Sequence, residues 1–412
     1  MRVARHHPKV VALFSLFLNL VGFGIIIPVQ PFYAESFGAT PLMITSLGAI
    51  FSLMQFLFAP FWGRLSDRVG RRPVMLISIV LGGVGHLLFA LATSYSMLFA
   101  VRALAGFGMA NLGTAQAIIS DTTPPEERAK GMGMVGAAFG LGFIFGPAIG
   151  GILGQFDPRY PALFAAAVSG VNAVMAYAWL NETLPQGKSK KDSDLGMSSF
   201  ALLQRARRHG VGTILLTTLI VGLSFSMMEQ VIALFLEHAY LPELVRSSAS
   251  RMAGATRLTA WFLVTVGVVA VVVQGGLIGS LRARFGERQL VRVGIALTAL
   301  GMWILPAIAH ARVFAWILGG AAILATGMGL FNPSSTALVS LSVPVDEQGV
   351  TLGLNQSSSA LGRIGGPLLG GWLFARWPEL PFEFSAVLMA LAFLVSLRLP
   401  VGRERLKRST SA

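Results

Sequence analysis

The chain is built of long apolar blocks separated by short polar or Pro/Gly-rich breaks. The blocks run over 9–33, 41–63, 73–93, 96–120, 131–153, 161–181, 211–237, 254–280, 289–309, 313–341, 350–375 and 382–400. Roughly 20 mostly apolar residues, coiled as an α-helix, cross about 30 Å of hydrocarbon. The pattern therefore predicts an all-α membrane protein with twelve transmembrane helices. The first block holds an apolar run from Val10 to Val29 that is longer than the core of a signal peptide, so it reads as a retained helix. One break differs from the others: 182–210 is long, polar and rich in Lys and Ser. It predicts a cytoplasmic linker between an N-terminal six-helix bundle, 1–181, and a C-terminal six-helix bundle, 211–412. A short amphipathic helix near Phe200 to Arg207 is expected to lie along the membrane surface.

An internal echo supports this division. Gly146-Pro147-Ala148-Ile149-Gly150-Gly151 returns as Gly366-Pro367-Leu368-Leu369-Gly370-Gly371, with Gly142 answered by Gly362. Gly63 to Arg72, after the second span, is mirrored by Gly279 to Arg288 after the eighth, and Gly106 to Asn111 more weakly by Gly327 to Asn332. Three echoes in one order imply two pseudo-symmetric halves, the usual construction of secondary transporters.

Composition agrees with the spans: of 412 residues, 54% are hydrophobic and 12% charged. The formal charge of +14 raises nucleic-acid binding, but the basic residues cluster on one side of the expected topology. With the N-terminus inside, the cytoplasmic segments hold Arg64, Arg68, Arg71, Arg72, Lys188, Lys190, Lys191, Arg282, Arg284, Arg288 and the basic tail. The opposite loops keep Arg159, Arg246, Arg251, Arg257, Arg312 and Arg376. That asymmetry places both termini in the cytoplasm and explains the basic charge without nucleic acid. The chain has no cysteine, hence no disulfide and no thiolate metal site. It also lacks a phosphate-binding loop, an HExxH pair and a Gly-x-Ser-x-Gly elbow, which argues against an enzyme and against ATP as driving force. No cofactor or metal is expected; an ion gradient, the proton gradient above all, remains.

These residues resemble the major facilitator superfamily over essentially the whole chain. Gly63 to Arg72 resembles its loop signature after the second helix, Arg102 with Gly106 its fourth-helix arginine motif, and Gly142 to Gly151 its fifth-helix antiporter motif. The last implies a twelve-helix drug/proton antiporter of a bacterial inner membrane. Gly22 to Pro31 and Gly286-Glu287-Arg288 are similar to tetracycline/proton antiporters. Those relatives often carry an acid in the first helix, where this chain has only Asn19 and Gln30, so the resemblance does not extend to tetracycline as substrate.

Several residues are candidates for the mechanism. Gly63 and Gly70 permit a tight turn that sets Asp67 toward a neighbouring helix N-terminus, expected near Gln348 to Gly353, and Arg71 toward Asp121, with Arg68 alongside. Such contacts form a conformational latch; the alternative is a solvated basic loop that sets topology. Gly142, Gly146, Gly150 and Gly154 give the fifth span one flat face, bent at Pro147, and Gly362, Gly366 and Gly370 with Pro367 repeat it in the eleventh. Either these faces are gate contacts, the fifth span on the eighth and the eleventh on the second, or they serve packing alone.

Glu229 is the one carboxylate well inside an expected span, with Arg102 and Arg363 as deep cations. An ionisable group there costs roughly 2.5–3.5 kcal/mol on insertion scales. Glu229, on one face with Phe225 and beside Met228, both candidate substrate contacts, suits alternate neutralisation by a proton and by substrate; a structural carboxylate is the other reading. The resemblance assigns Arg102 to proton transfer, where a guanidinium acts electrostatically. Arg363 suits an anionic substrate group or a cross-helix partner. Asn19, Gln30, Asn332 and Gln356 either line the cavity or bond helices together, and His86 reads as a packing histidine. The sum is a monomeric proton-coupled exporter of an amphipathic small molecule. A metabolite symporter or uniporter, and a transport-inactive sensor or scaffold, are the alternatives.

Overall fold

The computed structural model describes residues 8–123, 128–184, 211–241, 248–343 and 348–399. The fold is all-α, with no strand among the described residues. The helices are α1 (Pro8–Ile26), α2 (Gln30–Glu35), α3 (Pro41–Val69), α4 (Arg71–Ala90), α5 (Tyr95–Gly108), α6 (Leu112–Asp121), α7 (Arg128–Gly154) and α8 (Tyr160–Trp179). Then come α9 (Val211–Tyr240), α10 (Ser248–Val272), α11 (Ile278–Phe285), α12 (Glu287–Ala309), α13 (Phe314–Ser342), α14 (Gln348–Phe374) and α15 (Leu380–Ser396). Of the expected linker, the structure describes residues 182–184. The expected surface helix near Phe200 and the basic tail lie outside the described residues.

Among the described residues, ten spans are long and apolar enough to cross a membrane. Their outer surfaces are lipid-like: Val171, Val174 and Trp303 expose 67%, 70% and 63% of their area. In α14, the run Ser357 to Ser359 and Arg363 dilute the apolar character of a 27-residue helix.

Three spans are interrupted where the hydropathy pattern is continuous. The first ends at Ile26 and restarts as α2, with Pro31 in its first turn. The fourth breaks between α5 and α6, where Met109 and Ala110 close i→i+4 and i→i+3 turns onto Ala105 and Phe107. The eighth passes through a π-helical turn, Val273–Leu277, between α10 and α11. Helix starts follow local chemistry: Thr40 precedes Pro41 and accepts from the Met43 N–H at 3.4 Å, and Ser94 accepts from Met97 N–H at 3.3 Å.

The chain divides into two compact units, Met1–Lys191 with Ile232–Val268, and Asp192–Val231 with Val269–Ala412. The first therefore takes the end of α9 and most of α10. Phe32 of α2 packs with Ala233 of α9 and Ala255 of α10 in one core cluster.

Glycine spacing explains the closest approaches. A Cβ at Gly142 would lie 2.6 Å from Leu20 Cβ, and one at Gly146 2.7 Å from Gly24 Cα. In the second unit, a Cβ at Gly362 would lie 2.6 Å from the Gly222 carbonyl carbon, and one at Gly370 2.7 Å from the Met227 carbonyl oxygen. Most of the first face thus turns to α1, but its last glycine does meet α10, the eighth span, as expected: a Cβ at Gly154 would lie 3.0 Å from Thr256 Cγ2, and one at Gly267 2.6 Å from Ile144 Cγ1. The eleventh span's face turns to α9, which corrects the partner read from sequence. Spacing of four specifies a flat face and leaves its partner open.

Candidate functional site

The turn between α3 and α4 depends on Gly70, whose φ of 117° lies in the region glycine tolerates. It brings Arg71 beside three acceptors. Arg71 Nη1 lies 2.5 Å from Asp67 Oδ1 and donates to Ser66 Oγ at 2.7 Å, while its Nε reaches Asp121 Oδ2 at 3.3 Å. The expected Arg71–Asp121 pair is therefore present, and Asp67, 61% exposed, is held by Arg71 itself. Gly63 and Arg68 flank this cluster near the end of α3.

A residue that sequence reasoning missed completes the turn. Glu182, just past α8, accepts from the backbone N–H groups of Arg71 at 2.9 Å and Arg72 at 3.2 Å, capping α4 from 111 residues away. Burial pushes its carboxyl up, but backbone donors at Leu184, Arg71, Arg72 and Thr183 outweigh that and hold it below the usual value. No local pattern signals such a cap.

The equivalent turn of the second unit is built differently. Gly286 has φ 77°, and Glu287 pairs with Arg282 at 2.5 Å. Arg288 and Arg292 donate to the Leu397 carbonyl at 3.0 and 2.9 Å, at the end of α15.

Arg102 belongs to the first unit, Glu229 and Arg363 to the second. In the second, Glu229 of α9 and Arg363 of α14 act on each other electrostatically. Both are half-buried, and Arg363 donates to Ser359 Oγ one turn earlier at 2.9 Å. A carboxylate inside a span that retains accessible surface, with a cation in range, can exchange its charge partner. Phe225, one turn before Glu229, is half-buried as well. Met228 is 1% exposed, so it packs instead of lining an accessible surface. About three turns earlier on α9, Thr218 donates to Asn355 Oδ1 at 2.8 Å and shares a 3.2 Å bond with Ser335, a buried polar network joining α9, α14 and α13.

In the first unit, Arg102 is buried against the Phe51 ring, with its guanidinium carbon 4.3 Å from the centroid. His86 is buried nearby; a Cβ at Gly22 would lie 3.1 Å from its Nε2. Asn19 accepts from Asn172 Nδ2 at 3.3 Å and therefore bonds α1 to α8. Gln30 is buried in α2, while Asn332 and Gln356 are exposed on α13 and α14. The structure thus joins Glu229, Phe225 and Arg363 and leaves the other polar candidates dispersed.

A model described as "Major Facilitator Superfamily" matches residues 12–256 and 250–412. The chain belongs to the major facilitator superfamily. Among its relatives is Escherichia coli "Tetracycline resistance protein, class B", 28% identical over 94% of this chain and 96% of that protein. Another is Bacillus subtilis (strain 168) "Multidrug resistance protein 2", 29% identical over 92% of each chain. The human organic anion transporter MFSD10 shares the fold at a TM-score of 0.69 and 23% identity, over 96% of this chain and 100% of that one. The nucleoside transporter NupG does so at 0.74 and 13%, over 96% and 98%. Membership in the major facilitator superfamily makes this chain a multi-pass membrane transporter and not an enzyme.

Proposed function

We propose that this facilitator exports an amphipathic small molecule in exchange for protons, working by alternating access as a monomer in a bacterial inner membrane with both termini cytoplasmic. Two six-helix bundles, 1–181 and 211–412, joined by the 182–210 linker, form its moving parts. The observation that carries the reading is the half-buried Glu229, inside α9 and within electrostatic range of Arg363. Protonation neutralises Glu229 and frees Arg363; loss of the proton restores a carboxylate that a cationic group or Arg363 then satisfies. Arg102 contributes a second fixed charge to this coupling. Phe225 and the exposed amides Asn332 and Gln356 are assigned to substrate. Gly63, Asp67, Arg68, Gly70, Arg71 and Asp121 are assigned to a latch that forms and breaks with each cycle. The Gly142, Gly146, Pro147 and Gly150 face and its counterpart at Gly366 and Pro367 keep the bundles tight against ion leak. Relatives named for tetracycline, multidrug and quinolone resistance support a drug-like cargo.

Purified protein in liposomes under an imposed pH gradient tests this with ethidium, tetracycline, a sugar and a dipeptide. Accumulation of an aromatic amphipath that collapses with a protonophore is expected. Movement of the sugar or dipeptide alone, or flux indifferent to the gradient, contradicts the proposal.

A further inference from the structure

The two units close the same corner by different means. In the first, Arg72 at the start of α4 donates through Nη2 to the Tyr177 carbonyl near the end of α8 at 2.7 Å, with its guanidinium carbon 5.5 Å from the Tyr177 ring centroid. A carboxylate of the chain itself, Glu182, accepts from the backbone N–H of that arginine. In the second, two arginines near the start of α12 reach the end of α15. Arg288 Nη2 and Arg292 Nη2 both donate to the Leu397 carbonyl oxygen, at 3.0 and 2.9 Å, and Arg292 Nε adds a 3.3 Å bond to the Ser396 carbonyl. Two positive charges thus share one carbonyl, and they act on each other electrostatically.

A helix C-terminus offers roughly half an elementary charge, which leaves this pair short of negative charge. Among the described residues no ion pair includes Arg288 or Arg292, and the adjacent Glu287 pairs with Arg282. Arg284, one turn before Arg288, and Arg398, next to Leu397, are exposed and add positive charge. Arg288 and Arg292 are half-buried, so an anion reaches them from outside the helices. The surface beside them is apolar: Val293, next to Arg292, and Leu394 and Leu397, at the end of α15, are exposed. A ligand that suits both features has an anionic head with several acceptor oxygens and an apolar body. Guanidinium forks match phosphate oxygens, and basic recesses between spans at a membrane face hold anionic head groups.

We infer that Arg288 and Arg292, with Arg398 beside them, hold the phosphate of an anionic phospholipid at the α12 and α15 corner, with its acyl chains against Val293 and Leu394. The lipid brings to the second unit the negative charge that Glu182 brings to the first. A free phosphate would meet the guanidiniums but gain nothing from the apolar surface, so the lipid is the occupant. The site is separate from the cargo route and stands whether or not the exporter reading does.

Titration of the delipidated full-length protein in neutral detergent with dioleoyl phosphatidylglycerol or dioleoyl phosphatidylcholine, with bound lipid counted by native mass spectrometry, tests this. The chains are identical and the net charge of the head differs. The first phosphatidylglycerol is expected to bind at least about fivefold more tightly than the first phosphatidylcholine, the order that one basic group contributes at an anionic lipid surface. Arg288→Gln combined with Arg292→Gln should bring the two lipids within about twofold of each other. Lys190→Gln combined with Lys191→Gln removes the same charge from the linker and should keep the preference. Equal affinity for the two lipids in the wild type overturns the inference without any variant having to fold. A preference that survives in the folded arginine variant, or that the lysine variant loses to the same extent, overturns it equally. Displacement of the bound phosphatidylglycerol by glycerol phosphate at equal concentration would make a free phosphate the ligand and overturn the lipid.

Discussion

The two units use the same packing device and carry different charges. In the first, α7 lays Gly142, Gly146 and Gly150 on α1; in the second, α14 lays Gly362, Gly366 and Gly370 on α9. Against this shared frame, the first unit buries Arg102 over an aromatic ring, while the second keeps Glu229 and Arg363 in mutual range. Close helix packing tolerates little variation, because backbone already fills the space where a side chain would go. The residues on these frames are free to diverge, and there the two halves take on separate tasks.

Substitutions at matched positions sharpen the comparison. The largest effect is expected for Gly146→Leu and Gly366→Leu, which push a side chain into the backbone of α1 and α9. Overpacking costs about 1–3 kcal/mol and more where backbone must move, so both should lose most folded protein by thermal unfolding in detergent. Tolerance of one and not the other would break the equivalence of the two faces.

The next effect belongs to the second unit alone. Thr218→Val removes the donor to buried Asn355 and should lower stability by about 1–3 kcal/mol, read as a fall in unfolding temperature. An unchanged temperature would remove the α9–α14 bond from the account.

Arg71→Ala breaks contacts to Asp67, Asp121 and Ser66 together, and flux should fall about tenfold, equivalent to about 1.4 kcal/mol. Arg282→Ala, at the matching turn, loses one exposed pair and should change flux by less than about twofold. Equal losses would mean that both turns act as latches.

The smallest effect is expected at Glu182. Its carboxyl is held below the ordinary value in the fold, so its stabilisation is full above the unfolded value near 4.5 and fades as pH falls through the lower folded value. Because the group is largely exposed, Glu182→Gln should cost no more than about 1 kcal/mol at neutral pH. The difference from wild type should vanish in acid; a gap that widens there would contradict the assignment.

Much of the architecture was legible in the sequence because hydropathy is local. Each expected block is helical over most of its described length, and the echo of Gly146-Pro147 in Gly366-Pro367 marks helices packed alike. Interruptions were not legible from hydropathy, which averages over a block: Met109 to Asn111 and the π-turn Val273–Leu277, with Gln274, Gly275 and Gly276 inside it, lie within blocks that are apolar as a whole. Of the candidate site, Glu229, Arg363 and the Arg71–Asp121 pair were legible, since charge inside or beside an apolar span is conspicuous. Glu182 was hidden because its partners lie more than a hundred residues away. Asn19 and Met228 were ambiguous because an amide or thioether in a span can face a partner helix as readily as an accessible surface.

The most direct test compares wild type with Glu229→Gln in liposomes by two readouts, exchange of labelled ethidium at equal pH and its uptake under a pH gradient. If Glu229 couples the proton to cargo, the variant retains exchange but gains nothing from the gradient, while wild type is driven uphill. Equal acceleration of both proteins by the gradient would contradict the claim.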